Sequence, residues 1–118
     1  MSWEVEFYKD DIGKEPVSDF LDSLPSGTRA KVVRLIELLA EQGVLLKEPY
    51  TRHIRGKIRE LRIKDNLGLV RVFYFTFTGR RFILLHCFLR KTDKTPEKEI
   101  ELAGRRMKDF VERHGGKQ

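Results

Sequence analysis

Residues 69–77 (LVRVFYFTF) and 81–89 (RFILLHCFL), separated by Thr78-Gly79-Arg80, decide how this chain folds. Both runs carry β-branched and aromatic residues at odd and even positions alike. A strand that is apolar on both parities has to be covered on both faces. A glycine-containing break between two such runs is a hairpin signal. The pair is therefore expected as an antiparallel hairpin in the interior of a sheet. One charge interrupts it: Arg71, set among Leu69, Val70, Val72 and Phe73.

Downstream, Thr95-Pro96-Glu97 offers an N-cap, a proline at the first helical position and an acid in the first turn. A last helix is expected there, with Ile100, Ala103, Met107 and Phe110 as its apolar stripe and Gly115–Gly116 as its end. Upstream, residues 58–64 form a further strand, with a turn at Asp65–Gly68, and residues 44–57 form a connection containing Pro49, His53 and Gly56. Val32, Leu35, Ile36 and Leu39 recur at helical spacing, and Gly43 is placed to end that helix. Pro16 opens a shorter helix through Val17, Phe20 and Leu21. Trp3, Val5 and Phe7 alternate with polar neighbours as in a half-buried strand. The expected order is β-α-α-β-β-β-α, an α+β fold in one domain over residues 1–118.

With 118 residues, 40% of them hydrophobic, the chain can bury a core without disulfides. Cys87 is the single cysteine, so no intrachain disulfide can form, and a reducing compartment fits best. The N-terminal MSWEVEFYKDD lacks the apolar segment of a signal peptide, and no run is long enough to span a membrane. These features lead to the expectation of a soluble, cytoplasmic protein. Formal net charge is +6, yet residues 1–24 alone balance to −5, which leaves +11 on the remainder. A concentrated positive field attracts a polyanion, and nucleic acid is the natural candidate. His53, His86 and His114 are scattered, and no Cys/His spacing suggests a metal.

Gly56-Lys-Ile-Arg-Glu-Leu-Arg62, the stretch Leu69-Val-Arg-Val-Phe-Tyr-Phe75, the stretch Ile83-Leu-Leu-His-Cys-Phe-Leu-Arg-Lys91 and Lys94-Thr-Pro-Glu-Lys-Glu-Ile100, in this order, resemble the RelE/ParE toxin superfamily. The wording is similar to its HigB-like, phage-derived branch. The resemblance implies a RelE-like fold: an antiparallel-rich sheet with two N-terminal helices and a C-terminal one. It implies the toxin of a type II toxin–antitoxin pair, an endoribonuclease (mRNA interferase) that cleaves mRNA on the ribosome without metal or other cofactor. It also implies an antitoxin partner, of the helix-turn-helix kind. In that chemistry a ribose 2′-OH attacks the adjacent phosphate, so the protein must accept a proton, stabilise added negative charge and assist the leaving oxygen.

Arg71 matches the family's phosphate-binding arginine, and a planar guanidinium suits that task. The other reading of a strand arginine is an ion pair with a carboxylate such as Glu60. Arg62 has the parity of Glu60 and Lys64. If it faces the same side as Arg71, the two would clamp a phosphate. Arg90, Lys91 and Lys94 stand where the family places its other catalytic cations. His86 is read either as an acid–base group or as a satisfied core histidine. The family's acid–base pair has no clear counterpart: Lys57, Glu60 and Lys64 are on offer, and no tyrosine follows Tyr74. Lys47, Arg52, His53, Arg55, Lys57, Arg59 and Lys64 form a basic patch for RNA, and Tyr50 is either a stacking face or a loop anchor. Two other readings share these features: a ParE-like gyrase-inhibiting toxin and a non-catalytic RNA- or ribosome-binding module.

Overall fold

The expected hairpin lies at the centre of a five-stranded sheet in a computed structural model that describes residues 2–115. In chain order the elements are β1 (Glu4–Phe7), α1 (Pro16–Ser23), α2 (Ser26–Gln42), a single 3-10 turn (Gly43–Leu45), β2 (Thr51–Arg55), β3 (Ile58–Asp65), β4 (Gly68–Phe77), β5 (Arg81–Arg90) and α3 (Glu97–Arg113). The strands lie in the order β1-β5-β4-β3-β2. Every neighbouring pair is antiparallel except β1 with β5, which is parallel. The hairpin β4–β5 is thus interior, which is why both of its parities are apolar. Tyr74, Phe82, Leu84 and Cys87 pack beneath α1 and α2 with Val17, Leu21, Val32 and Leu39. Phe73, Phe75, Ile83, Leu85 and Phe88 face the other way, beneath Ile100, Ala103 and Phe110 of α3. Among the described residues, no helix is long and apolar enough to cross a membrane.

The α+β expectation and the order of the main elements match this architecture. Three details depart from it. The connection over residues 44–57 contains the edge strand β2 and the 3-10 turn. Its sequence, TRHIR, carries cations on a sheet edge, where charge is common and apolar alternation is not required. Thr95 does not cap α3; the N-cap is Pro96, with no side-chain cap bond. The Thr95 hydroxyl instead accepts a hydrogen bond from Arg71, whose buried charge is the stronger demand. The helix itself closes at Arg113, with His114 as C-cap and Gly115 beyond it; Gly116 lies outside the described residues.

Two backbone features fix how side chains are presented on the two faces of the sheet. Gly43 ends α2 at φ +59°, and a Cβ there would collide with the indole of Trp3, which stacks on Phe82. Only glycine fits both conditions. In β5 the register against β4 slips between the pairs Phe73–His86 and Tyr74–Leu84. Leu85 is the extra residue of a bulge, so Leu85 and His86 both turn toward α3. Phe88 and Arg90 then continue on that same face.

Candidate functional site

The α3-facing side of β3, β4 and β5 carries a chain of charged side chains over an aromatic floor. Arg62 and Arg71 are direct partners across the β3–β4 ladder and face the same side of the sheet. Between them lies Glu60. One carboxylate oxygen accepts from Arg62 Nη1 at 2.6 Å and the other from Arg71 Nε at 2.7 Å. Arg71 also donates to the Lys94 carbonyl at 3.0 Å and to the Thr95 hydroxyl. Its guanidinium lies 5.3 Å from the Phe88 ring centre. Arg71 and Glu60 are both completely buried. A buried pair is tolerable only when each charge is matched and hydrogen-bonded, and here both are. The structure therefore places Arg71 in the ion pair with Glu60, roofed by residues 94–95.

Arg62 reaches further out. Its second Nη donates to Asp93 at 2.7 Å, and Asp93 also stands 3.6 Å from Arg52. Hydrogen bonding from Arg62 holds the Asp93 carboxyl below its usual range. Burial works against the Arg62 charge, but Asp93 and Glu60 outweigh it and raise its pKa. Arg55, on β2, forms a two-pronged bond to Glu97 at 2.5 and 2.9 Å, which lowers the Glu97 carboxyl.

Glu99, in the first turn of α3, bridges His86 and Arg90 of β5. It accepts from His86 Nε2 at 2.6 Å and from Arg90 at 2.7 Å. Burial opposes the Glu99 charge, yet these two bonds leave its pKa lowered. Arg106 of α3 donates to the Leu85 carbonyl at 2.8 Å and lies 3.4 Å from His86 Nδ1. That arrangement leaves the proton on Nε2, and burial lowers the imidazole pKa despite Glu99. His86, stacked on Phe88 at 5.2 Å, is a satisfied neutral histidine in this conformation. The Arg90 Nε is buried without a hydrogen-bond partner among the described residues. Lys91 and Lys94 are exposed on the loop leading to α3.

The basic patch is divided by the sheet. Arg52 and Arg55 share the α3 side with Glu60 and Ile58, their ladder partners, and Lys64 is exposed near the far end of β3. His53 and Arg59 point to the opposite side, where Arg59 lies across from Tyr74. His53 Nε2 donates to the Gly56 carbonyl at 2.8 Å and ties the β2–β3 turn. Burial pushes the Tyr74 hydroxyl up, while Arg59 beside it acts in the other direction. Lys47 and Lys57 are exposed near Arg59. Tyr50, 47% exposed, sits at a groove of about 650 Å³ between α2 and β3, and its carbonyl accepts from the Arg62 backbone at 2.9 Å.

Sequence reasoning did not single out Asp93, Glu97, Glu99 or Arg106. Glu97 reads as an ordinary first-turn acid of a helix, and the partners of all four are distant in sequence. Among the described residues, no group of three or more His, Cys, Asp and Glu is placed to hold a metal ion.

No curated protein matches the chain. Residues 19–108, from within α1 to within α3, match the model of a family described as Phage derived protein Gp49-like (DUF891). That span holds the whole β2–β5 sheet core, the Glu60 and Glu99 networks and the loop that roofs Arg71. The chain therefore belongs to the phage-derived Gp49-like family, a toxin-like family of toxin–antitoxin systems.

Proposed function

We propose that this chain is the toxin of a type II toxin–antitoxin system and acts as a HigB-like, ribosome-dependent mRNA endoribonuclease in the cytoplasm. The observation that carries the reading is that Arg62, Arg71 and Arg90 share one sheet face, the first two bonded to Glu60 and the third to Glu99. In-line cleavage needs little beyond positioned positive charge and a proton acceptor, and it uses the RNA's own 2′-OH as nucleophile. The 2′-oxygen bonds to phosphorus as its proton goes to a base, the P–O5′ bond breaks, and the departing 5′-oxygen takes a proton. The products are a 2′,3′-cyclic phosphate and a 5′-OH. Arg62 and Arg90 supply charge to the phosphate, with Lys91 and Lys94 beside the departing oxygen. Glu60 is the acceptor on the strand preceding Arg71. In this reading residues 91–96 shift when RNA binds, since Lys94 and Thr95 otherwise shield Arg71 and Asp93 occupies Arg62. A cognate antitoxin, encoded beside the toxin and carrying a helix-turn-helix, holds it in check.

Induced expression followed by mapping of mRNA ends tests this. New 5′-OH ends at defined positions within translated messages are expected, and they should disappear in Arg62→Ala. A second reading, a non-catalytic RNA- or ribosome-binding module, draws support from the enclosure of Arg71 and His86. It predicts ribosome association without new ends. Gyrase inhibition without RNA cleavage would move the protein to the ParE-like branch.

A further inference from the structure

Seven arginines lie on the strands: Arg52, Arg55, Arg59, Arg62, Arg71, Arg81 and Arg90. Six of them contact a carboxylate within 4.0 Å; Arg59 has none among the described residues. Among the described residues its side chain bonds the Thr51 hydroxyl, at 3.2 Å, and lies beside the Tyr74 hydroxyl. Arg59 also stands between two adjoining clefts. One, of about 450 Å³, brings Lys47, the Tyr74 ring and Thr76 to it; the other, of about 370 Å³, adds Lys57 and His53. The one acid on these walls, Glu48, makes no ion pair with Arg59 or the lysines among the described residues.

The strand arginines are therefore neutralised on the α3 side of the sheet, and Arg59 is left open on the other. A polyanion responds to uncompensated charge, since a cation already bound to a carboxylate must first give it up. Three cations spread over two connected clefts match the repeated charge of a phosphodiester chain better than they match one carboxylate. The Arg59 N–H groups not taken by Thr51, with the Thr76 hydroxyl that lines both clefts, supply directed donors to phosphate oxygens.

We propose that the twin cleft at Arg59 is a phosphate-binding site for single-stranded RNA, flanked by Lys47 and Lys57, on the sheet face opposite Arg62, Arg71 and Arg90. This rests on the RNA-directed function proposed for the chain and deepens it: the strand is gripped at the β2–β3 hairpin and passes around the β2 edge to the other face. Grip and chemistry are then separate surfaces.

The test is fluorescence anisotropy of a labelled short single-stranded RNA against the purified full-length chain over a range of salt. Arg59→Gln should bind about five- to ten-fold more weakly and flatten the log–log salt slope by about 0.7. Arg59→Lys should keep the slope. Lys47→Gln/Lys57→Gln, on exposed side chains that the fold does not need, should flatten the slope by about 1.4. Lys108→Gln on α3 should change neither. Unaltered affinity and slope in both the Arg59→Gln and the double-lysine variants overturn the site. If those variants bind RNA normally but no longer co-purify with the protein encoded beside this chain, the cleft belongs to an acidic protein segment and the proposal falls. Absence of 5′-OH ends with RNA binding at Arg59 intact would remove the nuclease reading and leave this site standing.

Discussion

On the α3 side of the sheet, Arg52, Arg55, Arg62, Arg71 and Arg90 each meet a carboxylate from β3, from the 91–96 loop or from the start of α3. On the α2 side, Arg59 meets none among the described residues, and Lys47 and Lys57 stand exposed beside it. Similar residues thus have two different physical consequences. Paired and buried charges couple to stability and to pH, because breaking or protonating a partner leaves its mate uncompensated. Open charges couple instead to salt and to polyanions. The contrast teaches that the count of cations on a strand says little about binding until their acids are located.

The comparison breaks most readily at its most buried point. Glu60→Leu leaves Arg71 buried without its carboxylate, and a loss of about 3–5 kcal/mol in urea denaturation is expected. Arg71→Met in the same background should recover much of that loss, because two apolar groups replace two charges. Arg59→Gln should cost no more than about 1 kcal/mol, because the half-buried side chain loses a bond to the Thr51 hydroxyl but leaves no carboxylate uncompensated. If Glu60→Leu and Arg59→Gln were equally mild, the α3 face would be no more closed than the hairpin, and the distinction would collapse.

A smaller effect is expected at the rim. Asp93 is 57% exposed while bonding Arg62 and approaching Arg52. Asp93→Asn should change stability by no more than about 1 kcal/mol, since exposed pairs contribute little. Freeing the two arginines should tighten RNA binding by up to about five-fold at low salt, an effect that high salt removes. Unchanged RNA affinity would mean that the α3-side cations take no part in holding the strand, and would sharpen the division between the faces.

Much of this arrangement is legible in the amino-acid order alone, and the limits have definite causes. The β4–β5 hairpin stands out because interior strands are apolar on both parities and Gly79 marks the turn. Parity places Arg62 with Glu60, but only the register through the Asp65–Gly68 turn sets Arg62 opposite Arg71. Strand β2 stays hidden because an edge strand of cations has no apolar alternation to read. Leu85 stays hidden for the opposite reason: Ile83, Leu84 and Leu85 are all apolar, so a bulge among them leaves no trace in the pattern. The compensating acids are invisible because Asp93 and Glu97 lie 31 and 42 residues from Arg62 and Arg55. Local spacing rules cannot reach that far. For the same reason, a patch that looks uniformly basic in sequence has two of its members, Arg52 and Arg55, neutralised in the fold.

The smallest expected effect concerns pH, and it separates the faces by a different observable. His86 sits in the paired network, where burial depresses its pKa below the ordinary value of 6.5. The unfolded chain then takes up this proton at higher pH than the folded one does. Stability is fully present above about pH 6.5 and falls as the pH drops from there through the depressed folded-state value. The carboxyls of Glu99 and Asp93, also depressed, add their own loss at lower pH, beginning below their ordinary values of 4.5 and 3.8. Two legs are therefore expected in a plot of unfolding free energy against pH. His86→Gln keeps a donor for Glu99 and an acceptor for Arg106 but cannot titrate, so the upper leg should vanish while the acid leg persists. An upper leg that survives in His86→Gln would place the neutral titrating group elsewhere. Because Arg59 lies on the other face and bonds neither His86, Glu99 nor Asp93, Arg59→Gln should leave both legs where they are, even as it alters the response to salt.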